Sequence, residues 1–270
     1  MASVDVLIPT YNRPMALAVT LTGLLSQTFS DFRVIVSDQS EKAAPWEHKE
    51  IQAIVRVLEA HGQDVVLLRH LPRRGMAEQR EFLLGHVNAQ YSLFLDDDLI
   101  VEPYVIENMV RAIEEEGCGF VGCAVIGLSY LNDIRPGEQY IEFWEGAVHP
   151  ERVRPGTGKW QRYRLHNAAN LYHVQEQLGV SATDRRKYRV AWTGGCVLYD
   201  TTKLRETGGF GFWRQLPAEH CGEDVFAQVR VMERYGGCGI IPSGVYHQEL
   251  PTTVPDRRVN APDVLKLDQD

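Results

Sequence analysis

The strongest constraint on this chain's fold is an alternation that runs through its first hundred residues. Residues 4–8, 32–37, 65–68 and 91–95 are short apolar runs of β-rich composition, and residues 15–26, 46–60 and 76–87 between them carry apolar side chains at helical spacing. Strands separated by helices predict an α/β fold with a mainly parallel central sheet flanked by helices, because a parallel pair needs a crossover long enough to hold a helix. In open sheets of that kind ligands bind beyond the carboxyl ends of the strands. The residues after each run are therefore the ones to inspect.

Those residues are polar. Pro9-Thr10-Tyr11-Asn12-Arg13-Pro14 follows the first run, Asp38-Gln39-Ser40 the second, and Asp96-Asp97-Asp98 the fourth. A helix at 103–116 and a strand at 120–126 complete the regular first half. Residues 128–189 differ: periodicity is weak, and Gly, Pro, Arg and aromatic residues are frequent, which reads as an insertion with partial structure. Regularity returns at 191–199, in a helix over 223–234 and in a strand near 239–241, before a proline-rich, charged tail from Pro251 that reads as partly disordered.

Length and charge narrow the function classes. A chain of 270 residues with 44% hydrophobic residues can bury one sizeable core, so a single domain is expected. Its net charge of -8 argues against nucleic-acid binding and against attraction to an anionic membrane. A phosphate-bearing ligand then needs local positive charge or a metal. The residues around Arg152, Arg154, Arg162, Arg164, Arg185, Arg186 and Lys187 form one such concentration, with a solvated face as the plain reading and an acidic acceptor as the sharper one. The five cysteines are scattered without the paired spacing of a zinc site and read as reduced thiols. No signal-peptide pattern and no apolar run near the length of a membrane span is visible, which makes the cytoplasm the expected location.

Three groups of residues suggest chemistry. Asp96, Asp97 and Asp98 place carboxylates together after a buried strand, where they repel one another unless a cation neutralises them. Oxygen ligands suit Mg²⁺ or Mn²⁺, and an acidic solvated turn is the plain alternative. His247 joins such a site only if the fold brings it there, and its imidazole favours Mn²⁺. Glu223 and Asp224 open a helix, where helix-dipole pairing explains acids without catalysis, while the functional reading has one of them accept a proton from a hydroxyl. Gly194 and Gly195 allow close backbone approach to a ligand, and Trp192 and Trp213 are candidates for an apolar platform under an acceptor sugar, with core packing as the plain fate of each.

Taken in order along the chain, these segments resemble the GT-A glycosyltransferases, in particular family 2. Val6-Leu7-Ile8-Pro9-Thr10-Tyr11-Asn12-Arg13 is similar to that family's first strand and nucleotide-contacting turn, and Ser37-Asp38-Gln39-Ser40 stands in the place of its Asp-Asp-Gly-Ser. The resemblance implies that Pro9, Thr10, Tyr11, Arg13, Asp38, Arg80, Asp96, Asp97, Gly194 and Gly195 handle the donor, with Asp38 on the base, typically uracil. Asp96-Asp97-Asp98 resembles the Asp-X-Asp motif, which makes Asp98 and His247 the expected metal ligands for Mn²⁺ or Mg²⁺. Gly222-Glu223-Asp224-Val225 resembles the Glu-Asp motif, whose Asp is the base in inverting members.

The expected domain is 1–250, with 1–98 as the nucleotide half, 99–250 as the acceptor half containing the 128–189 insertion, and 251–270 as a tail. The expected partners are a nucleoside diphosphate sugar and a carbohydrate or other hydroxyl-bearing acceptor. Two rivals stand beside this reading. A sugar nucleotidyltransferase needs a basic, Gly-rich loop after the first strand, where this chain offers Arg13 alone; a catalytically silent nucleotide- or carbohydrate-binding module needs none of the retained acids.

Overall fold

A computed structural model describes residues 2–265. The chain runs through β1 (Val4–Thr10), α1 (Pro14–Leu24), β2 (Phe32–Asp38), α2 (Lys49–Ala60), β3 (Val65–Arg69), α3 (Met76–Gly85), β4 (Tyr91–Leu95), β5 (Leu99–Val101), α4 (Val105–Glu116) and β6 (Phe120–Gly122). It continues through α5 (Asn170–Leu178), β7 (Arg186–Tyr188), β8 (Cys196–Asp200), α6 (Thr201–Glu206), α7 (Glu223–Tyr235), β9 (Gly237–Ile241), β10 (Val245–His247) and α8 (Ala261–Val264). Eight strands form one sheet in the order β3-β2-β1-β4-β8-β6-β9-β7, and β8 and β7 run against the rest.

Period-two geometry explains why β1 is central. Val4, Val6 and Ile8 point to a core shared with α1, α2 and α4, and Leu7 points to a second core shared with α3 and α7. Asp5 is the exception on this strand; it is buried and held bidentately by Arg33 of β2 at 2.8 and 2.7 Å. Pro14 opens α1, where its missing N–H costs nothing, and Gly117 closes α4 in the left-handed conformation with φ of 56°.

The sequence-based boundaries shift where local packing intervenes. The run at 46–60 divides into a short 3₁₀ turn at Pro45–Glu47 followed by α2. The strand expected over 120–126 ends at Gly122, because Thr193 lies across it; a Cβ on Gly122 would sit 2.0 Å from the Thr193 hydroxyl. Residues 191–195 are likewise a turn rather than the start of a strand. Beyond Gly122 the chain crosses to β10, with Ile126 N–H donating to Val245 O and His247 N–H to Ile126 O.

The 128–189 insertion is packed rather than loose. Val153, Leu165, Leu171 and Val174 are buried in the second core, and the 3₁₀ helix Lys159–His166 and α5 give it regular structure. Its basic residues meet acids: Arg152 and Arg154 face Glu233, Arg162 lies between Glu142 and Glu151, Arg185 meets Glu115, and Lys187 meets Glu116. This pairing occupies five residues of the basic concentration, and Arg186 lies over the Phe143 ring instead. The described part of the tail, through Leu265, also packs: Cys221 N–H donates to Val259 O, Ala261 N–H donates back to Cys221 O, and Ala261 is fully buried. No helix among the described residues is long and apolar enough to cross a membrane.

Candidate active site

The strand order reverses between β1 and β4, and their carboxyl ends open a crevice at that switch point. There a cavity of about 310 Å³ is lined by Pro9, Thr10, Tyr11, Arg13, Asp96, Asp97, Asp98 and His247, together with Met76, Gln79, Leu250, Thr252, Thr253 and Arg257. His247 arrives by register. The small antiparallel pair β5–β10 sets it opposite Leu99, the residue after Asp98, and Gln248 N–H closes the ribbon on Asp98 O at 2.8 Å.

The three aspartates face three ways. Asp97 turns toward β1, accepting from Thr10 Oγ1 at 2.6 Å, and burial pushes its carboxyl up to about 7 against the pull of Thr10 and Arg13. Asp98 Oδ2 accepts from Arg13 Nη1 at 2.5 Å and lies 3.5 Å from His247 Nε2. Burial raises the Asp98 carboxyl as well, with Asp96 adding to the rise and His247 and Arg13 opposing it. Asp96 remains 35% exposed and meets the Arg80 guanidinium at 3.0 Å.

Arg80 lies deep in the molecule, bridging Asp96 to Glu223, whose Oε1 is 3.1 Å from Arg80 Nε. The facing carboxylates hold the guanidinium above its ordinary range in spite of burial. Two expectations change here. Arg80 does not line the cavity but pairs with Asp96 from behind it, and Glu223 is buried with its Oε1 committed to Arg80. Its neighbour Asp224 makes no ion pair with Arg80: burial, then the Glu223 charge, push its carboxyl up to about 7, and the Arg80 charge only partly offsets them.

Gly194 and Gly195 lie between the two acidic groups. A Cβ on Gly194 would come 3.8 Å from Asp224 Oδ2, and one on Gly195 would come 3.4 Å from Asp96 Oδ2 and 2.6 Å from Val125. Gly195 also adopts φ of 76°, a conformation other residues avoid. Trp192, just before this step, stacks on Tyr163 with centroids 5.2 Å apart and tilts against Trp160 at 4.6 Å, so the insertion supplies aromatic neighbours beside Asp224. Trp213 packs elsewhere, in the 3₁₀ turn Gly211–Gln215 against α3, with Arg214 over its ring; the structure does not bring it to the site.

Asp38 is fully buried and lies outside the cavity wall. Its Oδ1 accepts from Ser40 N–H and Oγ, whereas Oδ2 has no hydrogen-bond partner among the described residues, and burial raises its pKa. Arg73 covers the Tyr11 ring at 4.1 Å and donates to Thr253 O.

Asp98 and His247 suit a divalent cation in part. Asp98 Oδ2 already receives a cationic group, the Arg13 guanidinium, and a carboxylate with an imidazole leaves the remaining positions to diphosphate oxygens and water. His247 Nδ1 accepts from Glu249 N–H at 2.6 Å, so the neutral ring carries its proton on Nε2, which lies 3.5 Å from Asp98 Oδ2. It ligates a cation through Nε2 only once that proton moves. Among the described residues no group of three His, Cys, Asp or Glu side chains forms a ready metal cluster.

Sequence reasoning missed one wall of the cavity. Thr252, Thr253 and Arg257 belong to the segment read as a tail, Leu250 directly precedes it, and no periodicity or motif marks them. Arg13 donates to Pro251 O and Arg73 to Thr253 O, which straps this segment across the crevice.

Comparison with known proteins gives the family and the fold. The family model described as glycosyl transferase family 2 matches residues 5–177. A Haemophilus influenzae protein described as an uncharacterized glycosyltransferase is 29% identical over 111 residues, covering 41% of this chain and 34% of that one. S. aureus TarS 1-349 in complex with UDP-GlcNAc aligns with a TM-score of 0.59 at 14% identity, over 93% of this chain and 60% of TarS 1-349. The mannosyltransferase PcManGT from Pyrobaculum calidifontis, in complex with GDP-Man and Mn2+, aligns at 0.57 and 16% identity, over 94% of this chain and 59% of that one. The chain thus spans about a third of the length of the curated relative and about three fifths of the solved chains.

Proposed function

From the premise that the chain belongs to glycosyl transferase family 2, we propose that it transfers a sugar from a nucleoside diphosphate donor, with uridine as the base, to a hydroxyl acceptor with inversion at the anomeric carbon. The observation that carries this reading is the Gly194–Gly195 step. It sets a donor-side carboxylate, Asp96, and a carboxylate with its pKa raised to about 7, Asp224, on the two sides of one open backbone turn. An acceptor hydroxyl placed over Gly194 meets Asp224, while the donor sugar sits toward Asp96.

The chain's own residues then have distinct tasks. Thr10 and Asp97 tie the ends of β1 and β4 into one floor. Asp224 accepts the hydroxyl proton as the acceptor oxygen attacks the anomeric carbon, and its raised pKa matches a base working near neutrality. One displacement inverts the centre. Glu223 and Arg80 hold Asp224 and Asp96 at a fixed separation, and the Trp192, Tyr163 and Trp160 cluster offers an apolar wall to an acceptor ring. Asp98, joined by His247 after its proton shift, would hold Mn²⁺ or Mg²⁺, which when bound supplies positive charge to the leaving diphosphate. The partnerless Asp38 oxygen supports recognition of the imide N–H of uracil.

Thermal-shift measurements against nucleoside diphosphates and their sugars, with and without Mn²⁺, test the donor half of this reading without an acceptor. Stabilisation by uridine diphosphate, larger with Mn²⁺, is expected. Stabilisation by guanosine diphosphate alone would overturn the base assignment, and no shift with any nucleotide would overturn the transferase reading.

A further inference from the structure

The cavity is unevenly charged for an anionic donor. Asp96, Asp97 and Asp98 line it, and the guanidinium of Arg13 is already committed to Asp98 at 2.5 Å and Asp97 at 3.4 Å, with its second nitrogen on Pro251 O. A diphosphate approaching this floor meets carboxylates whose counter-charge is spent. Arg257, on the strap, is the other guanidinium on the cavity wall.

Arg257 has no ion pair among the described residues. The acid beside it in sequence, Asp256, is taken by Arg258, whose Nε lies 3.0 Å from both Asp256 oxygens and whose Nη2 lies 2.5 Å from one of them. The strap itself is anchored on both sides of Arg257: Arg73 holds Thr253, and the bridge between Cys221 and Asn260 fixes the far end two residues before Glu223. An unpaired guanidinium, exposed but mounted on a pinned backbone over an acidic cavity, is arranged to receive phosphate, since arginine pairs bidentately with phosphate oxygens and loses little freedom when its backbone is already fixed.

We propose that Arg257 binds the diphosphate of the donor, so that the strap completes the donor site. The inference rests on the nucleotide-sugar reading above and adds a binding residue to it. It also gives the strap a chemical reason to lie across the crevice: its cation supplies the charge that Arg13 cannot.

Isothermal titration calorimetry of the whole chain in Mn²⁺ buffer tests it, with uridine diphosphate and guanosine diphosphate each compared with its own nucleoside, for the wild type, Arg257→Ala and Arg258→Ala. Arg257→Ala is expected to lose about tenfold in affinity for the diphosphate that binds, with nucleoside affinity within about twofold of wild type and Arg258→Ala unchanged. Wild-type-like diphosphate binding by Arg257→Ala would overturn the proposal and leave the transferase reading standing. An equal loss for nucleoside and diphosphate would overturn it too, because the strap would then act by shape alone. If the wild type bound neither diphosphate, the transferase reading would fail and Arg257 would have no phosphate to meet.

Discussion

Two arginines in this molecule each sit among carboxylates, and they do opposite things. Arg80 is walled in, with Asp96 and Glu223 within 3.1 Å and its guanidinium raised above the ordinary range by their charge. Arg13 lies on the cavity wall, shared among Asp97, Asp98 and a backbone carbonyl. The first is an internal brace whose partners have no substitute, and the second is a contact at the cavity wall that a cation at Asp98 can replace. Burial, more than residue type, decides whether an ion pair is scaffold or working part.

The largest effect expected from this contrast lies next to the brace. Asp224→Asn keeps the shape and removes the base, so turnover should fall by roughly 10²–10⁴-fold with nucleotide binding retained, measured as kcat against a calorimetric Kd. Retained turnover would mean that the proton goes elsewhere. The wild-type kcat/KM should also fall below about pH 7, because Asp224 must be ionised to accept a proton. Stability should move the other way: a carboxyl whose folded pKa is raised favours folding most below its ordinary range and loses that contribution as pH rises through about 7. Melting curves of Asp224→Asn should therefore decline less between pH 4 and about 7 than those of the wild type.

Next in size is the brace itself. Arg80→Met leaves Glu223 buried and unpaired and should cost about 3–5 kcal/mol, read by denaturant unfolding. Arg13→Met should cost less and should instead change Mn²⁺ affinity, since it frees Asp98 Oδ2. Equal destabilisation by the two would erase the distinction drawn between them. A smaller contrast separates the two glycines. Gly195→Ala meets Val125 at 2.6 Å in a left-handed conformation and should destabilise by about 1–3 kcal/mol, whereas Gly194→Ala meets only Asp224 Oδ2 at 3.8 Å and should fold normally with a raised acceptor KM. The smallest effect concerns metal: Asp98→Ala should abolish Mn²⁺ binding seen by electron paramagnetic resonance, and His247→Ala should only weaken it, because the imidazole must first shift its proton.

The first half of the fold was legible because β1, β2 and β4 are almost wholly buried and read as apolar runs, and α2 between β2 and β3 carries one apolar stripe. Thr10, Arg13 and the three aspartates were legible for the same reason, since chain order places them at strand ends. Residues brought together by long-range packing were not. Glu223 and Asp224 are adjacent and chemically alike in sequence, and only the position of Arg80, 143 residues earlier, pairs one and leaves the other for the proposed proton transfer. Trp192 and Trp213 looked equivalent until the insertion stacked Tyr163 on one and the turn after α6 carried the other away. The tail carried charge and prolines, a composition shared by loose termini and by straps pinned through their carbonyls, so its role was invisible without Arg13 and Arg73 beside it.

The strap changes where this protein can be cut. A boundary drawn at residue 250, where the regular pattern stops, leaves every strand and every acid of the site in place and still removes a wall of the donor cavity. Such a shortened chain should fold, bind poorly, and pass for an inactive relative. Inheritance of donor handling in chains of this kind is then to be judged by the residues beyond the last strand as much as by the acids that precede it.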